Sequence, residues 1–135
     1  MPHNPIKATK ATTTRAAGQW SETLALHYLR LQRLKLIARN FSCRFGEIDL
    51  VMQDRSQFHD AILVFVEVRY RRHQQYGGAA ATVSSSKQRK IVRTAEMFRK
   101  QHRNLASWPA RFDVLALSGQ KLVPRVSWIK AAFSA

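Results

Sequence analysis

The sequence predicts a mixed α/β fold, a central sheet with a helix on each face. Two observations lead there. Stretches of period-two hydrophobic alternation are interleaved with two stretches of 3.6-residue periodicity, in the order helix, strands, helix, strands. At 135 residues, 45% of them hydrophobic, the chain is long enough for one core and too short for two.

Each element has its own signal. Residues 1–14 are polar, contain Pro2 and Pro5 and show no hydrophobic periodicity, so a flexible basic tail over residues 1–15 is expected ahead of a single domain over 16–135. A helix follows from Arg15 or Ala16 to Arg33, with Glu22, Ala25, Leu26 and Leu29 on one inward stripe. Leu36 to Arg44 reads as an irregular strand leading through Gly46, which supplies backbone freedom or close approach. In the next strand Glu47, Asp49, Val51 and Gln53 share one face, and Ile48, Leu50 and Met52 the other. After a polar hairpin connection, Asp54 to Asp60, a third strand places Leu63, Phe65, Glu67 and Arg69 on one face and Ile62, Val64, Val66 and Val68 on the other.

Arg71 to Ser85 has no periodicity and reads as a loop. Ser84 to Ser86 can cap a second helix running to about Arg103, with Lys87, Ile91, Ala95 and Phe98 on one stripe. Arg111 to Leu117 is a further strand, Ser118 to Lys121 a turn and Leu122 to Ile129 the last strand, which Pro124 assigns to an edge.

Composition narrows the function. With 23 Lys and Arg against 8 Asp and Glu, the formal charge is +15 and the pI about 11.3, which points to a polyanion partner, nucleic acid first. No stretch is a basic amphipathic helix of the interfacial type, and none has the length of a signal core or a bilayer span. A cytoplasmic protein with no membrane partner is expected. Cys43 stands alone, and His3, His27, His59, His73 and His102 lack ligand spacing, so neither a disulfide nor a zinc site is expected.

The acids are where chemistry concentrates. An antiparallel hairpin brings Asp49 close to Glu67 and Arg69. Two carboxylates about 4 Å apart repel by roughly 4 kcal/mol at an effective dielectric near 20, so such a pair needs a cation. Hard oxygen ligands suit Mg²⁺ or Mn²⁺; the competing reading makes Glu67 a solvated ion-pair partner of Arg69 and Arg71. Glu22 has two readings as well, a first-turn residue on the helix dipole or a group directed at the sheet, and its spacing favours the dipole. Lys87, in the first turn of the second helix, can reach a phosphate held at that helix's N-terminus or stand as plain surface. Arg71, Arg72, Lys87, Arg89, Lys90 and Arg93 are the candidate nucleic-acid contacts. For Asp113, an ion pair with Arg111 and a role in the site stand level.

The segments GEIDL at Gly46 to Leu50 and FVEVRYR at Phe65 to Arg71 resemble the YraN family of uncharacterised bacterial proteins. That family is similar to archaeal-type Holliday junction resolvases and to the PD-(D/E)xK nuclease superfamily. The likeness extends to GQWSETLALHYL from Gly18, Arg39-Asn40, Tyr76-Gly77, Lys87, Arg111-Phe112-Asp113, Trp128-Ile129 and Ala132-Phe133. It implies a restriction-endonuclease-like fold and a Mg²⁺-dependent endonuclease acting on DNA, working as a homodimer. In it Asp49, Glu67 and the Val68 carbonyl bind the ion, with Glu22 beside them. The superfamily's E-x-K reads Glu67-Val68-Arg69 here. A guanidinium keeps its proton, so Arg69 can stabilise charge but cannot act as a base, a role left to water or Lys87. The alternative is a nucleic-acid-binding module that keeps this fold and cleaves little or nothing.

Overall fold

The computed structural model describes residues 5–55, 60–73 and 82–135, with side chains described from residue 18 onward. The described elements are α1 (Pro5–Leu31), β1 (Lys35–Cys43), β2 (Gly46–Asp54), β3 (Ile62–Arg71), α2 (Ser85–Gln101), a 3₁₀ turn (Arg103–Leu105), β4 (Ala110–Ser118) and β5 (Arg125–Phe133). They form one five-stranded sheet in the order β1-β2-β3-β4-β5. Among the described strands only β3 and β4 run parallel, and α2 lies in the connection between them, as a parallel crossover requires. This is the predicted mixed sheet flanked by helices.

Three boundaries differ from the sequence reading. Of the predicted tail over residues 1–15, residues 1–4 lie outside the described ones, and from Pro5 the backbone is already helical, ahead of the expected start at Arg15 or Ala16. Proline suits a first helical turn because the N–H it lacks would have no partner there. The last strand starts after Pro124 and runs to Phe133, so Leu122 and Val123 belong to the turn before it; it does form a sheet edge. Within the predicted loop and hairpin turn, residues 74–81 and 56–59 lie outside the described ones.

The two sheet faces bury separate clusters. Ala25, Leu26 and Leu29 of α1 cover Leu50, Met52, Val64, Val66, Leu115 and Leu117. Ile91, Ala95 and Phe98 of α2 cover Ile48, Val51, Leu63, Phe65, Phe112 and Val114. Ser84 caps α2, its hydroxyl accepting from the Lys87 N–H at 3.2 Å.

Strand β3 alternates as predicted, but β2 does not. Ile48 packs on the α2 side and Leu50 on the α1 side, although strict period two would put them together. The neighbouring strand changes phase at the same level. Asn40, with φ 56°, lies between the pairs Arg39–Leu50 and Phe41–Ile48, which places it opposite Asp49. Asparagine tolerates this left-handed conformation better than most residues. Gly46, at φ 152°, lies where a Cβ would come within 3.3 Å of Thr94 Oγ1, so both the freedom and the close approach expected of it are used.

Asp113 resolves in favour of its structural reading. It is fully buried, its carboxylate pairs with Arg111 at 2.8 and 3.0 Å, and it accepts from Trp128 Nε1 and the Ala131 N–H. Arg111 also reaches Asp54 at 3.0 Å. The network ties β2, β4 and β5 together. Asp113→Ala leaves Arg111 with Asp54 as its remaining carboxylate and strands the Trp128 Nε1 and Ala131 N–H donors, so it should cost about 3 kcal/mol of stability in urea denaturation.

Candidate functional site

The phase change in β2 and β1 is what assembles the site. The β2–β3 ladder ends at Leu50–Val66. Beyond it, the Asp49 carboxylate takes the Val68 N–H at 2.8 Å. A side chain thus replaces the backbone bridge, and Asp49 faces Glu67 across the point where the strands part.

Glu22 reaches the same place from α1. Because the helix begins at Pro5, Glu22 is well inside it and the dipole reading falls. One carboxylate oxygen each from Glu22, Glu47 and Asp49 lie within 4.8 Å of one another. Glu22 Oε1 is buried without a hydrogen-bond partner, with Arg39 Nε 3.6 Å away. Arg39 also donates to Thr23 Oγ1 at 2.8 Å and to the Gln19 carbonyl at 3.3 Å, which fixes its guanidinium against α1.

Electrostatics register the crowding. Burial raises the Glu22 carboxyl above its ordinary value, and Asp49 adds to this while Asn40 and Arg39 oppose it. Burial also raises Asp49, against the Val68 N–H bond. Glu67 is pushed up from 4.5 to about 7, first by burial and then by Asp49, with Lys87 and Arg69 pulling the other way. Lys87 Nζ is 3.5 Å from Glu67 Oε1. Arg39 and Lys87 offset this negative cluster only in part, and its carboxylate oxygens are donors of the kind that suits a hard cation such as Mg²⁺ or Mn²⁺.

The predicted residues therefore come together in large part. Asp49, Glu67, Glu22 and Lys87 form one chain of contacts, and Arg69 acts on Glu67 through its charge. At Val68 the N–H is engaged by Asp49. An open cleft of about 850 Å³ is lined by Glu67, Val68, Arg69, Arg71, Ser84 and Lys87, among others. Arg69 Nε is buried without a hydrogen-bond partner. Arg71, Arg72, Lys87, Arg89, Lys90 and Arg93 are all exposed, Lys87 with its ammonium against Glu67. Sequence reasoning gave no site role to Glu47, Arg39 or Asn40. Glu47 had a legible signal, its period-two relation to Asp49; Arg39 and Asn40 depended on the left-handed backbone at Asn40, which no local pattern announces.

Fold and site together define an α/β protein with a carboxylate cluster at the splayed end of its central strands. The pattern of the uncharacterised protein family UPF0102 matches residues 21–117, and the chain belongs to that family. It is 42% identical over 120 residues to a UPF0102 protein of Stutzerimonas stutzeri, covering 89% of this chain and 96% of that relative. A UPF0102 protein of Methylobacillus flagellatus is 48% identical over 118 residues, covering 87% and 96%. One of Pseudomonas putida is 45% identical over 124 residues, covering 91% and 95%.

The raised Glu67 value has a consequence for stability. Between pH 4.5 and about 7 the folded state keeps a proton the unfolded state has released, so metal-free protein should lose stability as pH rises through this window and level off above it. The loss is on the order of 3 kcal/mol at ~1.4 kcal/mol per unit. Glu67→Gln should flatten the slope and melt higher than wild type at pH 8, read by thermal denaturation in EDTA.

Proposed function

We propose that this protein is a divalent-metal-dependent endonuclease acting on DNA. The observation that carries this reading is the convergence of Glu22, Glu47 and Asp49 oxygens within 4.8 Å, with Asp49 facing Glu67 beside a cation-lined cleft. Asp49 and Glu67 would hold Mg²⁺ or Mn²⁺, helped by Glu22 and the Val68 carbonyl. Such an ion supplies Lewis-acid stabilisation of a phosphoryl oxygen and makes water a stronger nucleophile.

The chain's own residues do the rest. Asp49 is oriented by the Val68 N–H, so its free electron density is directed without side-chain reorganisation. Arg69 lines the cleft with an unmatched Nε donor and offers a fixed positive charge to a phosphate. It keeps its proton and therefore binds rather than accepts. The lysine charge missing from position 69 is delivered from α2 by Lys87, against Glu67. Arg71 lines the cleft as well, and exposed Arg72, Arg89, Lys90 and Arg93 add to the positive surface.

A second reading rests on Arg69. With arginine where the superfamily pattern has lysine, the same surface would serve a binding module with little turnover.

Labelled linear, flapped and four-way DNA incubated with Mg²⁺, Mn²⁺ or EDTA separates the two. The nuclease reading predicts metal-dependent cleavage that falls at least a hundredfold in Asp49→Ala and Glu67→Ala. Metal-independent binding without cleavage gives the module, and cleavage that survives both substitutions rejects this site. Binding should weaken steeply with salt in either case, each neutralised duplex phosphate contributing about −0.9 to the log–log slope.

A further inference from the structure

The turn between β4 and β5 carries two neighbouring exposed large hydrophobic side chains, Leu122 at 94% and Val123 at 79% exposure. It is not loosely tethered. The Gly119 N–H donates to the Arg71 carbonyl at 3.1 Å, and Tyr70 Oη donates to the Gly119 carbonyl at 2.8 Å. Tyr70 and Arg71 line the carboxylate cleft, so the turn is fastened to the same strand that carries Glu67.

Trp20 stands beside it. Its ring meets Tyr70 edge to face at 5.3 Å, and Lys121 Nζ lies 5.7 Å from its centroid. Trp20 also lines an open depression of about 400 Å³ along α1, with Gln19, Thr23, Leu24 and His27. An indole at the edge of an open hollow, a cation against it and two projecting aliphatic side chains are the components that hold a flat apolar ring attached to an anion.

We propose that Trp20 and the Lys121–Val123 turn form a seat for an unstacked nucleobase, so that the protein engages nucleic acid with unpaired nucleotides in preference to uninterrupted duplex. The proposal rests on the nucleic-acid reading above and adds to it the form of the substrate. Base stacking on aromatic side chains is indifferent to sequence, so the seat selects for unpaired form rather than for base identity. An anionic membrane fits the turn less well. Leu122 and Val123 together offer roughly half the carbon of one myristoyl chain, which alone holds a membrane only marginally.

The test uses fluorescence anisotropy with a duplex and the same duplex containing an unpaired stretch, the latter also carrying 2-aminopurine there. Wild type should bind the gapped form about tenfold tighter and change the 2-aminopurine signal. Leu122→Ser/Val123→Ser, on a fully exposed turn, and Trp20→Leu should each bring the two affinities close together while leaving duplex binding unchanged. Equal wild-type affinities, or a preference that survives in both variants, overturn the seat and leave the nucleic-acid reading standing. Wild type that binds neither form removes that reading itself. Binding to phosphatidylserine vesicles that the double variant loses would reassign the turn to lipid and overturn the seat.

Discussion

The structure depends on how Asp49 is held. In an unbroken antiparallel pair the Val68 N–H would meet a backbone carbonyl of β2; here it meets the Asp49 carboxylate at 2.8 Å. That exchange satisfies the N–H, ends the ladder at Leu50–Val66 and separates the two strands where Glu67 sits. The half-buried notch that results raises Glu22, Asp49 and Glu67 together. Each carboxylate makes its neighbours harder to ionise, and the group as a whole favours whatever brings positive charge.

Positive charge comes from two directions in the protein itself. Arg39 reaches Glu22 from β1, and Lys87 reaches Glu67 from the first turn of α2. Neither reaches both ends of the cluster, and Glu22 Oε1 still lacks a hydrogen bond. By contrast, Asp113 and Asp54 share one guanidinium in close ion pairs, and Asp113 is further bound by Trp128 and Ala131. Two acidic groups in one small protein are thus treated differently. One is saturated with donors and serves the fold, while the other is only partly matched by Arg39 and Lys87.

Much of this was legible in the sequence because it follows from period. The alternation of β3 put Glu67 and Arg69 on the face of Leu63 and Phe65, and the stripe of α2 put Lys87 in line with Ile91, Ala95 and Phe98. The approach of Glu22 to Asp49 was not legible from spacing, because the start of α1 decides whether Glu22 is a first-turn residue, and the polar segment after Pro5 gave no helical periodicity. The slip in β2 was hidden too. It is set by Asn40 on the neighbouring strand and by a side-chain hydrogen bond to β3, contacts distant in sequence from the residues whose faces they exchange.

The central claim is that these carboxylates form a site for a divalent cation, and calorimetric titration of EDTA-stripped protein with Mn²⁺ at pH 7.5 tests it most directly. The account predicts saturable binding by wild type and at least tenfold weaker binding by Asp49→Asn, an isosteric change whose side-chain carbonyl can still accept the Val68 N–H. A wild type that takes up no Mn²⁺, or an Asp49→Asn variant that binds it equally well, would contradict the account.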